Sequence, residues 1–295
     1  MIEEVAAAKI NLFLHVGPVR KDGLHRLESL FVFADDGDRI RAEPAPNLSL
    51  KIEGPFGPEL SRFPLTDNLV FRAAQALRAA AHVTAGAAIV LDKRLPIASG
   101  IGGGSADAAA ALRALIRLWR VRMSEPEIVS LAFSLGADVP ACLEGAPVYV
   151  GGAGEQVTRG PSLPPLWAAL ANPGIAMPTG PVFNAFDREN PKPTTPDPAR
   201  CASAASYGAL TDYLLQTRND LEPPAIARAG VIQMVAERLA SHPGCLISRM
   251  SGSGATVFGL YTSEGAARGA AMKARGLGWW SLAARIRTSR GSAAA

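Results

Sequence analysis

The densest chemical signal in the sequence is a glycine-rich segment that joins a predicted strand, Ala87–Leu91, to a predicted helix. Gly100 and the run Gly102–Gly104 lack a Cβ, so the backbone there can adopt left-handed conformations and approach a ligand closely. Because the segment opens directly into the helix, its N–H groups would lie at the positive end of the helix dipole, where phosphate binds. Ser105 adds a hydroxyl group, and Lys93 adds a cation just upstream. The segment therefore predicts a phosphate site, since a plain flexible linker would not run straight into so periodic a helix.

The spacing of the glycines excludes two common phosphate loops. No Gly-Lys-Ser or Gly-Lys-Thr follows, so the segment is not a Walker A loop, and it does not follow the first strand of the chain as a dinucleotide fingerprint would. Asp107, in the helix that follows, is interpreted as a first-turn carboxylate stabilised by the helix dipole rather than as a catalytic acid.

Two other side chains could do chemistry. Asp138 lies between a helix and Pro140, where a constrained backbone can project it into a cleft, and the alternative is an ordinary turn residue after the helix. Lys9 lies mid-strand among apolar residues, and burying it is costly unless it meets an anion or a carboxylate. The alternative is an edge strand with Lys9 in solvent. Lys9, Asn11 and His15 share one face of this strand, so that face could form one wall of a site.

Periodicity and turn residues supply the elements that position these groups. Asn68 can cap a helix, and Ser251–Thr256 is a second glycine-serine loop that could close over a phosphoryl group or simply be a hairpin turn. Asp35–Asp38 predicts a turn. The other predicted strands are Arg39–Glu43, Leu48–Ile52, Cys245–Met250 and Thr256–Tyr261, and Val231–Leu239 is an amphipathic helix.

The order of these elements indicates an α+β protein of two domains. Glycine and proline become more frequent from about 151 to 165, which places the boundary between domains 1–155 and 156–295. Residues 187–198 contain four prolines and predict an exposed loop.

Composition narrows the class of protein. Of 295 residues, 48% are hydrophobic and 19% charged, with a net charge of +4, which excludes a disordered chain. The balance is too mild to indicate nucleic acid but is compatible with a polyanionic small ligand. Without a signal peptide or an apolar run long enough for a membrane span, we expect a cytoplasmic protein. Neither the cysteines nor the histidines have the spacing of a disulfide framework or a zinc site; they are Cys142, Cys201 and Cys245, and His15, His25, His82 and His242.

Seven short motifs together resemble the GHMP small-molecule kinases. Within that superfamily they look most like the kinases that act on a cytidyl diphosphate sugar alcohol in non-mevalonate isoprenoid biosynthesis. Each motif is weak alone, but seven in register over nearly the whole chain are specific. They are Ala8–Leu12, Asp22–His25, Lys93–Pro96, Gly102–Ser105, Gly136–Pro140, Arg218–Asp220 and Ser251–Ala255.

The resemblance implies a fold and a reaction. The fold is the two-domain GHMP kinase fold, with an N-terminal ribosomal-protein-S5-domain-2-like ATP-binding domain and a C-terminal ferredoxin-like α/β sandwich domain. The reaction is transfer of the γ-phosphoryl group of ATP to the 2-hydroxyl of the cytidyl substrate, with Mg²⁺ offsetting the phosphate charge. We therefore expect a small-molecule substrate, no nucleic acid, no membrane, and a monomer or weak homodimer.

The resemblance also assigns roles to residues of this chain. Lys9 and Asp138 become the catalytic pair, in which Asp138 accepts or orients the hydroxyl proton and Lys9 keeps Asp138 ionised and neutralises phosphoryl oxygens. Phe183 is assigned to the cytosine ring. The remaining substrate residues are Asn11, His25 and Thr179. ATP is placed on Pro96, Ile97, Ala98, Ser99, Gly100, Ile101, Gly102, Gly103, Gly104, Ser105 and Ala106, together with Asn68 and Lys93, and no protein ligand of the metal is assigned.

Two residues depart from the family pattern. Leu24 stands where an aromatic residue usually stacks on the far side of cytosine, so we expect a one-sided contact, and a lost stack costs on the order of 1–3 kcal/mol. Ala106 stands where a second serine is usual, which removes a hydroxyl but leaves the backbone donors.

Two competing hypotheses remain. Another GHMP kinase would phosphorylate a sugar, homoserine or a mevalonate-type alcohol; Leu24 gives this some room, but Asp22–His25 and Gly136–Pro140 argue against it. A nucleic-acid binder is the alternative from a different class, yet the Lys and Arg residues are dispersed and no aromatic residues are interleaved with them.

Overall fold

The structure is a computed structural model that describes residues 1–190 and 204–288. The first two strands are the longest, at 18 and 21 residues. In chain order the strands are β1 (Ile2–Val19), β2 (His25–Ala45), β3 (Ser49–Glu53), β4 (Gly86–Asp92), β5 (Val148–Gly152), β6 (Gln156–Arg159), β7 (Trp167–Asn172), β8 (Cys245–Met250), β9 (Val257–Tyr261) and β10 (Trp280–Arg285).

Helices and strands both occur throughout the described chain, which confirms the predicted α+β class. They are α1 (Gly57–Leu60), α2 (Leu69–Ala80), α3 (Gly103–Trp119), α4 (Glu125–Leu135), α5 (Val139–Glu144), α6 (Thr179–Glu189), α7 (Tyr207–Leu215), α8 (Glu222–Arg228), α9 (Val231–Ala240) and α10 (Glu264–Gly276). In the two described ranges, none of these helices has the length and apolarity that crossing a bilayer requires.

The chain divides into two compact units. Unit 1 consists of Met1–Ala8, Asp36–Ile97 and Gly102–Glu144. Unit 2 consists of Lys9–Asp35, Ala98–Ile101 and the described residues from Gly145 onward. Because β1 and β2 contribute residues to both units, the units are not successive halves of the chain. The division into domains 1–155 and 156–295 stays a prediction.

Unit 1 combines a small sheet with helices rich in alanine. β3 pairs in parallel with β4, and β4 pairs in antiparallel fashion with the second half of β2. α3 buries Ala106, Ala108–Ala111, Leu112 and Leu115, and it packs against α2. Small side chains let the two helices approach closely, which suits a chain with few aromatic residues. The start of α3 is thereby fixed next to the start of α2.

Unit 2 contains β5, which pairs with the first half of β2 and with β6, and a separate antiparallel sheet. The order of strands in this second sheet is β10-β7-β9-β8. α9 and α10 pack on it, and the apolar core between them includes Val235, Leu239, Val257, Ala267 and Ala270. The predicted strand Cys245–Met250 is β8, and the predicted helix Val231–Leu239 is α9.

Two predictions about loops are wrong. Asp35–Asp38 is not a turn, because these residues continue β2. Asp38 is fully buried there and accepts hydrogen bonds from its neighbours, so a charged residue that usually indicates a turn is satisfied inside a strand. Residues 187–189 end α6 rather than begin the exposed loop predicted for 187–198, and residues 191–198 lie outside the described ranges.

Candidate functional site

The glycine segment between β4 and α3 has a left-handed backbone at three alternate residues. Ala98, Gly100 and Gly102 have φ angles of 49°, 77° and 62°. α3 begins directly after Gly102, which is its N-cap residue, and no side chain in the described chain caps that first turn. The helix therefore starts with backbone N–H groups at the positive end of its dipole, which is the arrangement that binds phosphate.

Asn68 lies near this helix start, within unit 1. Its Oδ1 accepts a hydrogen bond of 2.9 Å from the N–H of Val70, which confirms the predicted cap of α2. A Cβ on Gly104 would lie 3.4 Å from Leu69 Cδ1, so the first turns of α2 and α3 are in contact. The predicted role of Asn68 at the nucleotide stays a prediction.

A buried cluster of three charged side chains lies in unit 1. Lys93 Nζ donates hydrogen bonds to Asp38 Oδ2 at 2.5 Å and to Asp107 Oδ2 at 2.6 Å. The other oxygen of Asp38 accepts from the backbone N–H groups of Arg94 and Leu95 at 2.5 and 2.7 Å. We refer to Asp38, Lys93 and Asp107 as the ionic cluster.

The ionic cluster changes one interpretation from the sequence. Asp107 is the fifth residue of α3, so it is not a first-turn carboxylate, and that prediction is wrong. Its carboxylate pairs with Lys93 instead of with the helix dipole. A Cβ on Gly103 would lie 3.0 Å from Lys93 Nζ, so the ammonium group lies against the first turn of α3. Direct contact of Lys93 with ATP stays a prediction.

The two carboxylates of the cluster have different electrostatic environments. Burial and, to a lesser extent, the charge of Asp38 raise the pKa of Asp107 well above its ordinary value, although Lys93 opposes this. Burial lowers the pKa of Lys93, but the two carboxylates outweigh it and the net shift is upward. Asp107 Oδ1 has no hydrogen-bond partner in the described chain, whereas both oxygens of Asp38 accept hydrogen bonds. Asp107 is therefore a carboxyl group that protonates at a higher pH than an ordinary aspartate.

Asp138 lies at the start of α5, also in unit 1. Gly136 ends α4, and the carbonyl oxygen of Asp138 accepts the N–H of Cys142 at 3.0 Å, which is the first hydrogen bond of the new helix. The side chain is partly exposed. A carboxylate at a helix N-terminus is favoured by the helix dipole.

Lys9 is buried in the middle of β1, in unit 2, with only 4% of its surface exposed. This excludes the alternative of an edge strand with Lys9 in solvent. Its Nζ lies 4.1 Å from the centroid of the Phe31 ring, a cation–π contact. The N–H of Lys9 donates to the carbonyl oxygen of Ile101 at 3.0 Å, so β1 also holds the glycine segment.

Asn11 is engaged in hydrogen bonds within unit 2. Its backbone N–H donates to Ser251 Oγ at 3.1 Å, and its Nδ2 donates to Ser29 Oγ at 3.0 Å. The Ser251 hydroxyl in turn donates to the carbonyl oxygen of Gly100 at 3.0 Å. A Cβ on Gly100 would collide with the carbonyl oxygen of Ser251. The second glycine-serine loop therefore packs tightly on residues 98–101, and contact of Asn11 with substrate stays a prediction.

Asn219 holds this second loop, a role that the sequence analysis did not assign. Its Nδ2 donates to the carbonyl oxygens of Met250 and Gly252, both at 2.8 Å, and its Oδ1 accepts from the N–H of Leu221 at 3.0 Å. The signal in the sequence was the motif Arg218–Asp220, whose residues carry no obvious chemistry of their own. We refer to Asn11, Ser251 and Asn219 as the amide–hydroxyl network.

His25 and Phe183, both predicted to contact the substrate, lie together in unit 2. The His25 ring lies 5.0 Å from the Phe183 ring, centroid to centroid. His25 Nδ1–H donates to the carbonyl oxygen of Gly17 at 3.0 Å, and Nε2 lies 3.2 Å from Asp187 Oδ1. The orientation of the imidazole is thus fixed at both nitrogens, which makes it a rigid neighbour for the phenylalanine ring.

One face of α6 presents these groups. Thr179, Phe183 and Asp187 follow one another at intervals of four residues, so they lie on the same side of the helix. Thr179 Oγ1 lies 3.0 Å from Ser253 Oγ, in the second glycine-serine loop. Sequence reasoning missed Asp187 because it was placed in the predicted loop, although its spacing from Phe183 could have revealed it.

Comparison with known proteins now gives the family. The family model described as "GHMP kinases N terminal domain" matches residues 68–146, and the model described as "GHMP kinases C terminal" matches residues 209–276. Over 290 residues the chain is 52% identical to a 4-diphosphocytidyl-2-C-methyl-D-erythritol kinase of Cereibacter sphaeroides, and the match covers 97% of this chain and 99% of that protein.

The chain belongs to the 4-diphosphocytidyl-2-C-methyl-D-erythritol kinase family. A crystal structure of 4-(cytidine 5'-diphospho)-2C-methyl-D-erythritol kinase is similar to it with a TM-score of 0.78 and 34% identity, covering 97% of this chain and 99% of that chain. A homoserine kinase from Cytophaga hutchinsonii shares the fold, with a TM-score of 0.69 and 19% identity over 97% of this chain and 96% of that one. The predicted two-domain GHMP kinase fold is confirmed.

Membership of this kinase family makes the protein a small-molecule phosphotransferase with ATP as its phosphate donor. Within unit 2 the structure brings His25 next to Phe183, and within unit 1 it brings Asn68 near the start of α3. Lys9 belongs to unit 2 and Asp138 to unit 1, so their pairing stays a prediction. Leu24, which departs from the family pattern, is 53% exposed.

Proposed function

We propose that this chain transfers the γ-phosphoryl group of ATP to the 2-hydroxyl group of 4-diphosphocytidyl-2-C-methyl-D-erythritol. The products are the 2-phosphate and ADP, in non-mevalonate isoprenoid biosynthesis. The observation that carries this proposal is 52% identity, over 97% of the chain, to a kinase named for that substrate. The fold alone would not suffice, because a homoserine kinase at 19% identity shares it.

ATP is assigned to the glycine segment, Pro96–Ala106. The left-handed residues of the segment and the uncapped start of α3 supply backbone N–H groups for the phosphates. Ser105, in the first turn of α3, adds a hydroxyl donor. Ala106 is buried, and its lack of a hydroxyl group leaves the backbone donors of the segment in place.

Asp138 and Lys9 are assigned to the transfer itself. The 2-hydroxyl oxygen forms a bond to the γ-phosphorus while the bond from that phosphorus to the bridging oxygen of ADP breaks. Asp138 accepts the proton of the hydroxyl, and the cationic Lys9 neutralises charge on the phosphoryl oxygens. Both assignments are consistent with the chemistry of the two side chains, since Lys9 is a buried cation on β1 and Asp138 is an accessible carboxylate.

The cytosine ring is assigned to the neighbourhood of His25 and Phe183. Phe183 is partly exposed and can offer a face to a base, and His25 is held in place by Gly17 and Asp187. Thr179 and Asn11 complete the proposed contacts. Leu24 offers an apolar surface on the side where an aromatic ring is usual.

Mg²⁺ is assigned to the phosphates of ATP rather than to a protein cage. In the described residues no group of three His, Cys, Asp or Glu side chains could hold a metal ion. Mg²⁺ does not require such a group, because it commonly binds through one or two protein groups plus substrate phosphates. Ser105 is the side chain proposed for that purpose, and the ion would offset the charge of the β- and γ-phosphates.

A coupled assay of ADP release with a panel of alcohols tests the substrate. We expect turnover with the cytidyl substrate and none with homoserine, mevalonate or galactose. Turnover with one of these alcohols but not with the cytidyl substrate would replace the proposal with another GHMP kinase activity.

The Asp138→Asn variant tests the proposed base. General base catalysis contributes roughly a hundredfold to ten-thousandfold, so we expect kcat to fall by that factor while ATP still binds. Asp212→Asn makes the same chemical change at an exposed position on α7 and should leave kcat unchanged. Near-normal turnover of Asp138→Asn would remove Asp138 from the mechanism.

A further inference from the structure

The ionic cluster has no part in the proposed transfer step, yet it lies against the segment assigned to ATP. The side chains of Asp38, Lys93 and Asp107 are at most 3% exposed. Burying three charged groups in one place is costly, and such a cluster contributes little net stability compared with apolar residues of similar volume. Its presence in unit 1 therefore calls for a role other than stability alone.

The cluster joins three elements that meet at the start of α3. Asp38 lies on β2, Lys93 directly follows β4, and Asp107 lies on α3. Asp38 also accepts the backbone N–H groups of Arg94 and Leu95, so it fixes the chain that enters the glycine segment. The cluster thus holds both the entrance to the segment and the helix at its exit.

The contact with Gly103 shows how closely this hold reaches the proposed phosphate site. A Cβ at Gly103 would lie 3.0 Å from Lys93 Nζ, closer than such atoms normally approach. Lys93 cannot move away easily, because both Asp38 and Asp107 bind its ammonium group at 2.5 and 2.6 Å. The first turn of α3 is therefore seated directly on a fixed cation.

We infer that the ionic cluster positions the first turn of α3, Gly103–Ser105, for the phosphates of ATP, and that Asp38, Lys93 and Asp107 are positioning residues for the nucleotide. The inference rests on the proposed assignment of ATP to the glycine segment. The carboxylates hold the Lys93 ammonium against Gly103, so the cluster acts by fixing the position of the backbone donors rather than by a net positive charge. Loss of any one of these three side chains should weaken the binding of ATP and leave the binding of the cytidyl substrate unaffected.

The Asp107→Asn variant tests this role, because the amide keeps the size of the side chain and Asp38 still pairs with Lys93. We expect the KM for ATP to rise about tenfold and the KM for the cytidyl substrate to stay within twofold of wild type. Glu4→Gln is the matched control in the same unit, since Glu4 pairs with Arg113 and Arg117 at 2.9 and 2.5 Å. It should leave the KM for ATP unchanged.

A double variant, Lys93→Met with Asp107→Leu, separates positioning from folding. It removes a cation and an anion together and leaves Asp38 with its two backbone donors. Its thermal unfolding temperature should therefore lie above that of Lys93→Met alone, and ATP binding is measured well below that temperature. Calorimetric titration with adenylyl imidodiphosphate should nevertheless show binding at least tenfold weaker.

The outcomes distinguish this inference from the proposed function. A KM for ATP within twofold of wild type in Asp107→Asn, or equal rises in both KM values, would overturn the positioning role while leaving the proposed reaction intact. A wild-type enzyme without ATP-dependent turnover of the cytidyl substrate would overturn the proposed function and this inference with it.

Discussion

The glycine segment passes through both units, and each unit holds its own part of the segment with different chemistry. In unit 1 the residues after Gly102 are held by charge, since Lys93 lies between two buried carboxylates and against Gly103. In unit 2 residues 98–101 are held by neutral groups. The Ser251 hydroxyl donates to the carbonyl oxygen of Gly100, and the Asn219 amide donates to the carbonyl oxygen of Gly252 in the same loop as Ser251.

The difference predicts how each region responds to damage. A buried ion pair is costly to break because the remaining charge has no partner. Loss of a neutral hydrogen bond costs less, because it leaves only one uncharged polar group buried without a partner. The charged region should also respond to pH, and the neutral region should not. Unit 1 therefore concentrates the sensitivity of the segment in one place, and unit 2 spreads it over several weak contacts.

The largest expected effect is the loss of the cation in unit 1. Lys93→Met leaves Asp38 and Asp107 buried beside each other without a positive charge. Breaking a buried pair costs about 3–5 kcal/mol of unfolding free energy, which denaturant titration would measure. The double variant with Asp107→Leu should recover part of that loss, because one of the two stranded carboxylates is gone. A loss below about 1 kcal/mol in the single variant would contradict the strength assigned to the charged region.

A smaller effect is expected in unit 2. Asn219→Leu keeps the approximate volume but leaves the carbonyl oxygens of Met250 and Gly252 without their side-chain donor. We expect a loss of about 1–3 kcal/mol of unfolding free energy. Arg218→Ala, which removes an exposed side chain paired with Asp220, is the control and should cost less than about 1 kcal/mol. A loss as large as that of Lys93→Met would erase the contrast between the regions.

The two regions differ as well in how far the sequence could predict them. The glycine segment, the helix that follows it and the Asn68 cap were predicted because their signals are local: missing Cβ atoms, a capping side chain and helical periodicity. The ionic cluster was not, because Asp38 and Lys93 are 55 residues apart and nothing local to Asp38 distinguishes a buried strand carboxylate from a turn residue.

The same limit explains the residues that were missed in unit 2. Asn219 contacts carbonyl oxygens more than thirty positions away. Asp187 on α6 contacts His25 at the start of β2, which is also distant in the sequence. The family resemblance assigned roles to Lys9 and Phe183, but it did not identify the residues that contact them. Long-range pairing, rather than element type, is what the single sequence could not supply.

A pH titration sharpens the contrast by its sign. The native pKa of Asp107 is raised above its unfolded value of about 3.9, so between these two pKa values the native state holds a proton that the unfolded state has lost. Unfolding free energy should therefore fall as pH rises between these two pKa values, by up to about 1.4 kcal/mol per pH unit from this group.

Denaturant titrations from pH 4 to 8 measure this term as a difference between wild type and Asp107→Asn. The variant lacks the proton, so its stability relative to wild type should improve as pH rises. Asn219→Leu should run parallel to wild type, because the amide–hydroxyl network has no titrating member. If the curve for Asp107→Asn ran parallel to that of wild type, the Asp107 carboxyl group of the wild-type protein would be ionised throughout this range.

The smallest effect concerns unit 2 and the cytidyl substrate. Leu24→Tyr restores an aromatic ring at an exposed position in unit 2, where it can add a second contact to the cytosine ring. An aromatic pair contributes about 0.5–1.5 kcal/mol, which corresponds to a KM for the cytidyl substrate roughly two to ten times lower. Leu24→Met, which adds no ring, should leave that KM unchanged, and neither variant should alter the KM for ATP. If Leu24→Tyr shifted the KM for ATP instead, the assignment of the cytosine ring to the neighbourhood of Leu24, His25 and Phe183 would be wrong.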